Sequence, residues 1–216
     1  MPASSSSIRA LIFDYGGVIM RTQSQEPRRR LAERLGVSTE ELYRAVFDSE
    51  AIKRVELGKL TALECGQEVL TRFGLDSEEE IHGFWSEFFS GDALDGQLVA
   101  HIRHWRRHYK TALLSNFAGN LRDYVHSRLG IGDCFDEIIV SARVGLRKPD
   151  PRIYQLALQR LQVEAHEAVF VDDMLVNVEG ALAVGLRAIR FTSRQALLTE
   201  LETLLGGNSC TTVVDK

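Results

Sequence analysis

Short apolar runs alternate with amphipathic helical stretches along most of this chain, and one long block without such runs interrupts them. The first run, residues 8–14 (IRALIFD), is almost continuously apolar, closes on a carboxylate and is followed by Gly16 and Gly17. Such a run suits a strand covered on both faces by helices, the environment of a parallel sheet. The pattern resumes with a helical stretch at 94–108, a strand at 110–115 (KTALLS), a helix at 121–129 and a strand at 135–141 (FDEIIVS). A helix follows at 151–161, with Asp150 as its N-cap and Pro151 in its first position. A strand at 168–171, a helix at 176–184 ended by Gly185 and a strand at 186–191 complete the order. This regularity predicts an α/β fold, a doubly wound parallel sheet with helices on both faces.

The interrupting block spans residues 21–91 and contains no strand candidate. Ser38 with Glu41, Thr61 with Glu64, and Ser77 with Glu80 each match the capping-box pattern of a helix start. Gly36, Gly74 and Gly91 sit where those helices would stop. The block therefore reads as an all-helical cap subdomain, inserted after the first strand and covering the active edge of the sheet. The expected organisation is a core of residues 8–20 and 92–205, a cap of residues 21–91, and peripheral tails at 1–7 and 206–216. Within the second tail, TTVV could add a short edge strand.

Composition narrows the function classes. A chain of 216 residues, 44% hydrophobic and 26% charged, is long enough to bury a substantial core. Its 26 basic against 30 acidic residues, net −4, argue against a protein that coats nucleic acid. Cys65, Cys134 and Cys210 are odd in number and form no CxxC pair, so neither a disulfide framework nor a zinc site is indicated. Reduced thiols in the cytoplasm fit best. No apolar stretch approaches the ~20 residues needed to span a membrane, and the N-terminus lacks the basic start and apolar core of a secretory signal. His101, His104 and His108 have no carboxylate or cysteine at ligand spacing, and the nearby Arg103, Arg106, Arg107 and Lys110 read as a solvated face. Phe84, Trp85, Phe88 and Phe89 recur at helical spacing and read as cap core, with pocket lining or a homodimer contact as alternatives.

In open α/β sheets, ligands bind beyond the carboxyl ends of the strands. Four predicted strand ends carry polar groups there: Asp14, Ser115 with Asn116, Lys148 in RKPDP, and Asp172 with Asp173. Carboxylates gathered beside Asp14 would repel one another unless a cation joined them, and hard oxygen ligands favour Mg²⁺. A lysine and a hydroxyl facing that ion would hold a phosphate by charge and hydrogen bonds. Such an assembly suits phosphoryl transfer, where positioning and charge neutralisation supply most of the catalysis.

These residues lie in segments that resemble the haloacid dehalogenase superfamily, in particular its helical-cap branch, which includes the N-terminal phosphatase domain of soluble epoxide hydrolases. The segments are FDYGGVI (13–19), ELGKLT (56–61), LLSN (113–116), VGLRKPDPRIY (144–154) and VFVDDMLVNVEGA (169–181), in order and at workable spacing. The resemblance implies a Rossmann-like core in which Asp14 is the nucleophile, taking the phosphoryl group as an aspartyl-phosphate and ligating Mg²⁺. It implies that Ser115 and Asn116 bind phosphate oxygens and that Lys148 neutralises Asp14 and the transferring group. Asp173 would be the principal second metal carboxylate, Asp172 a ligand through water or an orienting group, and Asn177 a support of the metal shell.

One position departs from the family pattern. Two residues after the nucleophile, where the family's phosphatases place a second Asp, this chain has Gly16. The glycine keeps the backbone carbonyl that ligates the metal but loses the carboxyl that protonates the leaving oxygen and activates water. Positioned acid–base catalysis is worth ~10²–10⁴-fold, so turnover is expected to be slow or restricted to good leaving groups. The leading expectation is a Mg²⁺-dependent phosphatase of a small phosphorylated metabolite. The rivals are a haloacid-type dehalogenase, which needs no metal, and a catalytically weak binding or regulatory protein.

Overall fold

The computed structural model describes residues 7–119 and 121–206. Most of both expected tails, including the TTVV segment and Cys210, lies outside these residues. In chain order the elements are β1 (Ala10–Phe13), β2 (Met20–Thr22), α1 (Glu26–Leu35), α2 (Thr39–Tyr43), α3 (Glu50–Glu56), α4 (Ala62–Leu70), α5 (Glu78–Phe88) and β3 (Asp92–Leu94). There follow α6 (Gly96–Trp105), β4 (Lys110–Ser115), α7 (Leu121–Ser127), β5 (Glu137–Val140), α8 (Ser141–Val144) and α9 (Pro151–Leu161). The chain continues through β6 (Ala168–Asp172), α10 (Leu175–Ala183), β7 (Arg187–Arg190) and α11 (Arg194–Leu205).

Five strands form one parallel sheet in the order β5-β4-β1-β6-β7. The central strand β1 explains why its sequence is apolar throughout. Leu11 and Phe13 join a core with Trp105, Ile102 and Leu201 on one face, while Ala10 and Ile12 join Ile153, Tyr154 and Phe170 on the other. A strand buried on both faces has no side left for polar residues. The expected α/β, doubly wound architecture is the observed one.

The helical block carries its own core, including Leu31, Leu42, Val69, Phe84 and Phe88. Thr61 and Glu64, and likewise Ser77 and Glu80, form reciprocal capping boxes at the starts of α4 and α5, whereas Ser38 caps α2 with its side chain alone. Two features differ from expectation. First, β2 and β3 pair antiparallel as a two-stranded ribbon at the junction of block and sheet. Each is only three residues long, too short for a period of two to show, and the partners meet across the whole insertion. Second, Gly91 does not end a helix. Its carbonyl accepts the Gln23 and Ser24 N–H groups, and a Cβ there would lie 2.1 Å from the Ser24 carbonyl oxygen. Gly91 is therefore a glycine of close backbone approach.

Ion pairs fasten the ribbon. Arg28, 4% exposed, donates to both oxygens of Asp92 and to the Phe88 carbonyl. Asp95 caps α6 through the Leu98 N–H and pairs with Arg21 and Arg194 at 3.1 and 2.6 Å. The basic stretch of α6 is also matched by acids, Arg103 with Asp133 and Arg106 with Asp136. Among the described residues no helix is long and apolar enough to cross a membrane.

Candidate active site

The parallel register sets β1 between β4 and β6, with Phe13 opposite both Leu113 and Val171. Asp14 therefore leaves β1 level with Asp172 of β6, and Ser115 at the end of β4 and Asp173 after β6 lie one residue further along, so the four gather at the carboxyl edge. Residues more than 150 positions apart in the chain meet there because the strands do. The Asp14 N–H continues the ladder to the Val171 carbonyl at 2.9 Å.

Lys148 completes the group. It is 1% exposed, and its Nζ lies 2.7 Å from Asp14 Oδ1 and 2.6 Å from Asp172 Oδ2. Its backbone is clamped by Asn116, whose Oδ1 accepts the Lys148 N–H at 2.8 Å while its Nδ2 donates to the Lys148 carbonyl at 3.0 Å. Both amide atoms of Asn116 are thus spent on holding the lysine, and of the LLSN pair only Ser115 keeps a side chain uncommitted to Lys148.

The two adjacent acids of β6 separate into different environments. Asp172 Oδ1 accepts from the Met174 N–H and Asn177 Nδ2, and Oδ2 accepts from Lys148 and the same amide. Four donor contacts leave Asp172 an orienting group. Asn177 is in turn placed by its own carbonyl, which accepts the Tyr154 hydroxyl at 2.8 Å. Asp173 points the other way, into the turn after β1. A Cβ on Gly17 would lie 2.4 Å from the Asp173 carboxyl group, and Gly17 has φ +78. Only glycine accommodates both that backbone and that neighbour.

One oxygen from each of Asp14, Asp172 and Asp173 lies within 4.8 Å of the others. Burial pushes the Asp14 carboxyl up to about 7, with Lys148 opposing the shift and Asp172 adding to it. Burial and the neighbouring Asp172 likewise raise Asp173. Burial works against the Lys148 charge, but Asp14 and Asp172 outweigh it and the lysine is held above its ordinary value. The pocket thus has more negative charge than one ammonium balances, and all its free donor atoms are oxygens. That donor set, with a glycine making room for the Asp173 carboxylate, fits a hard divalent cation. At Gly16 a Cβ would meet no heavy atom of the described residues within 4 Å, so the place of a side chain is open.

Four residues of this region escaped the sequence reading as candidate site groups. Glu56, at the end of α3, reaches Arg147 at 2.8 Å, joining the helical block to the loop that carries Lys148. Burial raises the Glu56 carboxyl against the pull of Arg147 and Lys148. Glu56 opens the ELGKLT segment and Arg147 precedes Lys148, but a pair 91 residues apart leaves no local signature. Tyr15 and Phe117, following β1 and β4, meet edge to face at 5.8 Å.

Comparison with known proteins places this arrangement. The profile of the haloacid dehalogenase-like hydrolases matches residues 8–185. A sesquiterpene phosphatase of Aspergillus oryzae is 27% identical over 93% of this chain and 98% of its own. A phosphorylated carbohydrates phosphatase of Thermotoga maritima is 29% identical over 84% of each chain. Bifunctional epoxide hydrolase 2 of Mus musculus is 24% identical over 93% of this chain, which spans only 39% of that larger protein. Among solved structures, a HAD family enzyme of Bacteroides thetaiotaomicron in complex with magnesium and inorganic phosphate superposes with TM-score 0.69 at 20% identity, covering 88% of this chain and 99% of that one. The L-2-haloacid dehalogenase of Xanthobacter autotrophicus superposes with TM-score 0.66 at 24% identity, over 91% and 83% of the two chains. With the profile spanning four of the five sheet strands, the insertion and the Asp14–Lys148–Asp172 cluster alike, the chain belongs to the haloacid dehalogenase-like hydrolases.

Proposed function

We propose that this hydrolase is a Mg²⁺-dependent phosphatase of a small phosphorylated metabolite, working through an aspartyl-phosphate on Asp14. The observation that carries the reading is Lys148 Nζ bridging Asp14 and Asp172 at 2.7 and 2.6 Å, with the Asp173 carboxylate beside them. Similarity over 93% and 84% of this chain to two proteins named as phosphatases supports it. Asp14, Asp173 and the Gly16 carbonyl would hold Mg²⁺, which when bound supplies charge neutralisation for the phosphate oxygens.

The chain's own residues do the rest. Asp14 attacks phosphorus and the ester P–O bond breaks, leaving an aspartyl-phosphate and an alkoxide. With no carboxyl at Gly16, the alkoxide takes its proton from water. The hydroxide so formed takes a proton from a second water as that water attacks phosphorus, the bond to Asp14 breaks, and orthophosphate leaves. Lys148 balances charge on Asp14 throughout, Ser115 donates to the phosphate, and Asp172 with Asn116 fixes the lysine. The missing acid makes turnover slow for poor leaving groups.

The test is phosphate release from sugar phosphates, nucleotides and acyl phosphates, with Mg²⁺ or EDTA, against Asp14→Asn as the blank. Release that needs both Mg²⁺ and Asp14 supports the reading. Metal-independent release of halide from a 2-haloacid would replace it with a dehalogenase. Ligand binding equal in wild type and Asp14→Asn, without turnover, would replace it with a binding protein.

A further inference from the structure

Ser141 is wholly buried just beyond the carboxyl end of β5, and the mechanism above does not use it. The parallel register sets Ser115 opposite Val140, so Asn116 leaves β4 level with Ser141. At this point the ladder between the two strands ends, because Ser141 opens α8 and its backbone turns into a helix. Its side chain takes over the pairing. The hydroxyl accepts the Phe117 N–H at 3.0 Å and lies 3.5 Å from the Phe117 carbonyl oxygen, the outer reach for donating to it. One hydroxyl thus meets both backbone polar groups of the second residue after Ser115.

The same device recurs in the opposite sense at Lys148. There the Asn116 amide accepts the Lys148 N–H and donates to the Lys148 carbonyl. Segment 141–148 therefore holds the loop after Ser115 with its first residue and is held by that loop at its last. Gly145, at φ +68, ends α8 after a single turn and lets the segment double back towards the site. The two ties close a ring that contains Ser115, Asn116, Phe117, Ser141 and Lys148. Phe117 also meets Tyr15, the residue after Asp14, so the ring abuts the turn that follows the nucleophile. Of the two ties, the Asn116 clamp alone does not fix where Ser115 stands, since a loop free at Phe117 can shift with the lysine segment.

We infer that Ser141 is a positioning residue: it touches neither phosphate nor metal, and it fixes Ser115 against Lys148 by tying down Phe117. The inference rests on the phosphatase reading and deepens it. Ser141→Ala keeps every group proposed to contact the phosphate, so KM should stay within about threefold of wild type. A misplacement of about 1 Å can cost ~10²-fold in rate, so kcat should fall at least about tenfold. The control is Thr111→Val, which removes another wholly buried hydroxyl from β4, one that donates to the Cys134 carbonyl at the far end of the strand. The assay is turnover of acetyl phosphate by the intact protein with Mg²⁺. Turnover that Asp14→Asn abolishes establishes the phosphatase; its absence removes that reading and this one with it. Given that activity, Thr111→Val should hold kcat within about twofold. A fall in kcat smaller than tenfold for Ser141→Ala, an equal fall for Thr111→Val, or a loss carried by KM overturns the assignment and leaves the phosphatase reading intact. The two ties are tested by combining Ser141→Ala with Asn116→Ala. Ties that act as one ring give a double variant whose loss in kcat is less than a third of the product of the single losses, and a full product overturns the ring. Should Ser141→Ala not fold, Ser141→Cys, whose thiol is a weak acceptor and donor, takes its place with the same limits.

Discussion

Gly16→Asp is the substitution that most directly probes the chemistry. A Cβ at position 16 meets no described heavy atom within 4 Å, and Gly16 is not among the residues with positive φ. The Cβ of the new residue therefore enters without collision or backbone strain, while its carboxylate adds a further negative charge to the acidic pocket. Its carboxyl, two residues after Asp14, is expected to serve as the acid for the leaving oxygen in the proposed reaction. Positioned proton transfer is typically worth ~10²–10⁴-fold. The lower figure is the expectation here, because nothing packs against the Cβ of the new side chain. A gain of about 10² corresponds to ~2.7 kcal/mol of barrier. The assay is single-turnover transfer of phosphate to Asp14, which reads the first step alone. An alkyl phosphate, whose oxygen must be protonated as it leaves, should gain the full factor. Para-nitrophenyl phosphate, whose leaving group needs no acid, should change less than threefold. Equal gains on both substrates, or no gain on either with the fold intact, would refute the claim that Gly16 lacks only an acid.

Removing the Lys148 ammonium as Lys148→Met strands two buried carboxylates, and breaking a buried pair costs about 3–5 kcal/mol. For a chain of this size that lowers Tm by about 6–20 °C, and a thermal scan in EDTA showing less than 2 °C would contradict the burial of the cluster. At Asp95, burial opposes ionisation, yet the Leu98 N–H and the Arg194 and Arg21 guanidiniums hold its carboxyl below the usual range. Its stabilisation is therefore full above the ordinary carboxyl value and is lost as pH falls through the lowered folded value. Asp95→Asn should cost about 1.5–3 kcal/mol at pH 7, and urea titrations should show the difference from wild type shrinking as pH drops towards 3.

Much of this was legible because the signals are local. The apolar run before Asp14, the capping boxes at Thr61 and Ser77, and Asp150 before Pro151 each declare an element within a few residues, and α9 starts and stops where the pattern places it. The candidate site was legible for a related reason: a parallel sheet brings its strand ends to one edge, so polar residues closing apolar runs mark that edge. What the sequence does not declare is pairing across distance. The β2–β3 ribbon, the Glu56–Arg147 bridge and the Arg28–Asp92 clamp each join segments more than 60 residues apart. The unequal fates of Asp172 and Asp173 are hidden for the same reason. Adjacent side chains on a strand face opposite ways, and only the fold shows that one meets Lys148 and Asn177 while the other meets the turn at Gly17.

The charge balance of the pocket also separates the phosphatase from the dehalogenase. Above about pH 7, where the raised Asp14 carboxyl is ionised, Asp14, Asp172 and Asp173 bring three negative charges and Lys148 one positive, so the site holds two in excess. Lys148 is shared between Asp172 at 2.6 Å and Asp14 at 2.7 Å, so one ammonium offsets only part of the charge of the cluster, and Asp14 and Asp173 are the carboxylates that the proposed phosphatase would turn to its substrate. A phosphate dianion placed about 4 Å from either carboxylate meets a repulsion of roughly 4 kcal/mol per pair of unit charges at an effective dielectric near 20. Lys148 cannot cancel this, because its ammonium is already shared between two acids. Phosphate should therefore bind only with a divalent cation present. Calorimetric titration of inorganic phosphate into the protein is expected to give an affinity at least about 10²-fold weaker in EDTA than in Mg²⁺, a loss of ~2.7 kcal/mol. A haloacid brings a single negative charge, and displacement at its carbon requires no second anion to approach Asp14, so it would tolerate the excess far better. Phosphate binding that is indifferent to EDTA would mean that the three carboxylates are not all ionised around the substrate, and the case for a metal at Asp14 and Asp173 would fall with it.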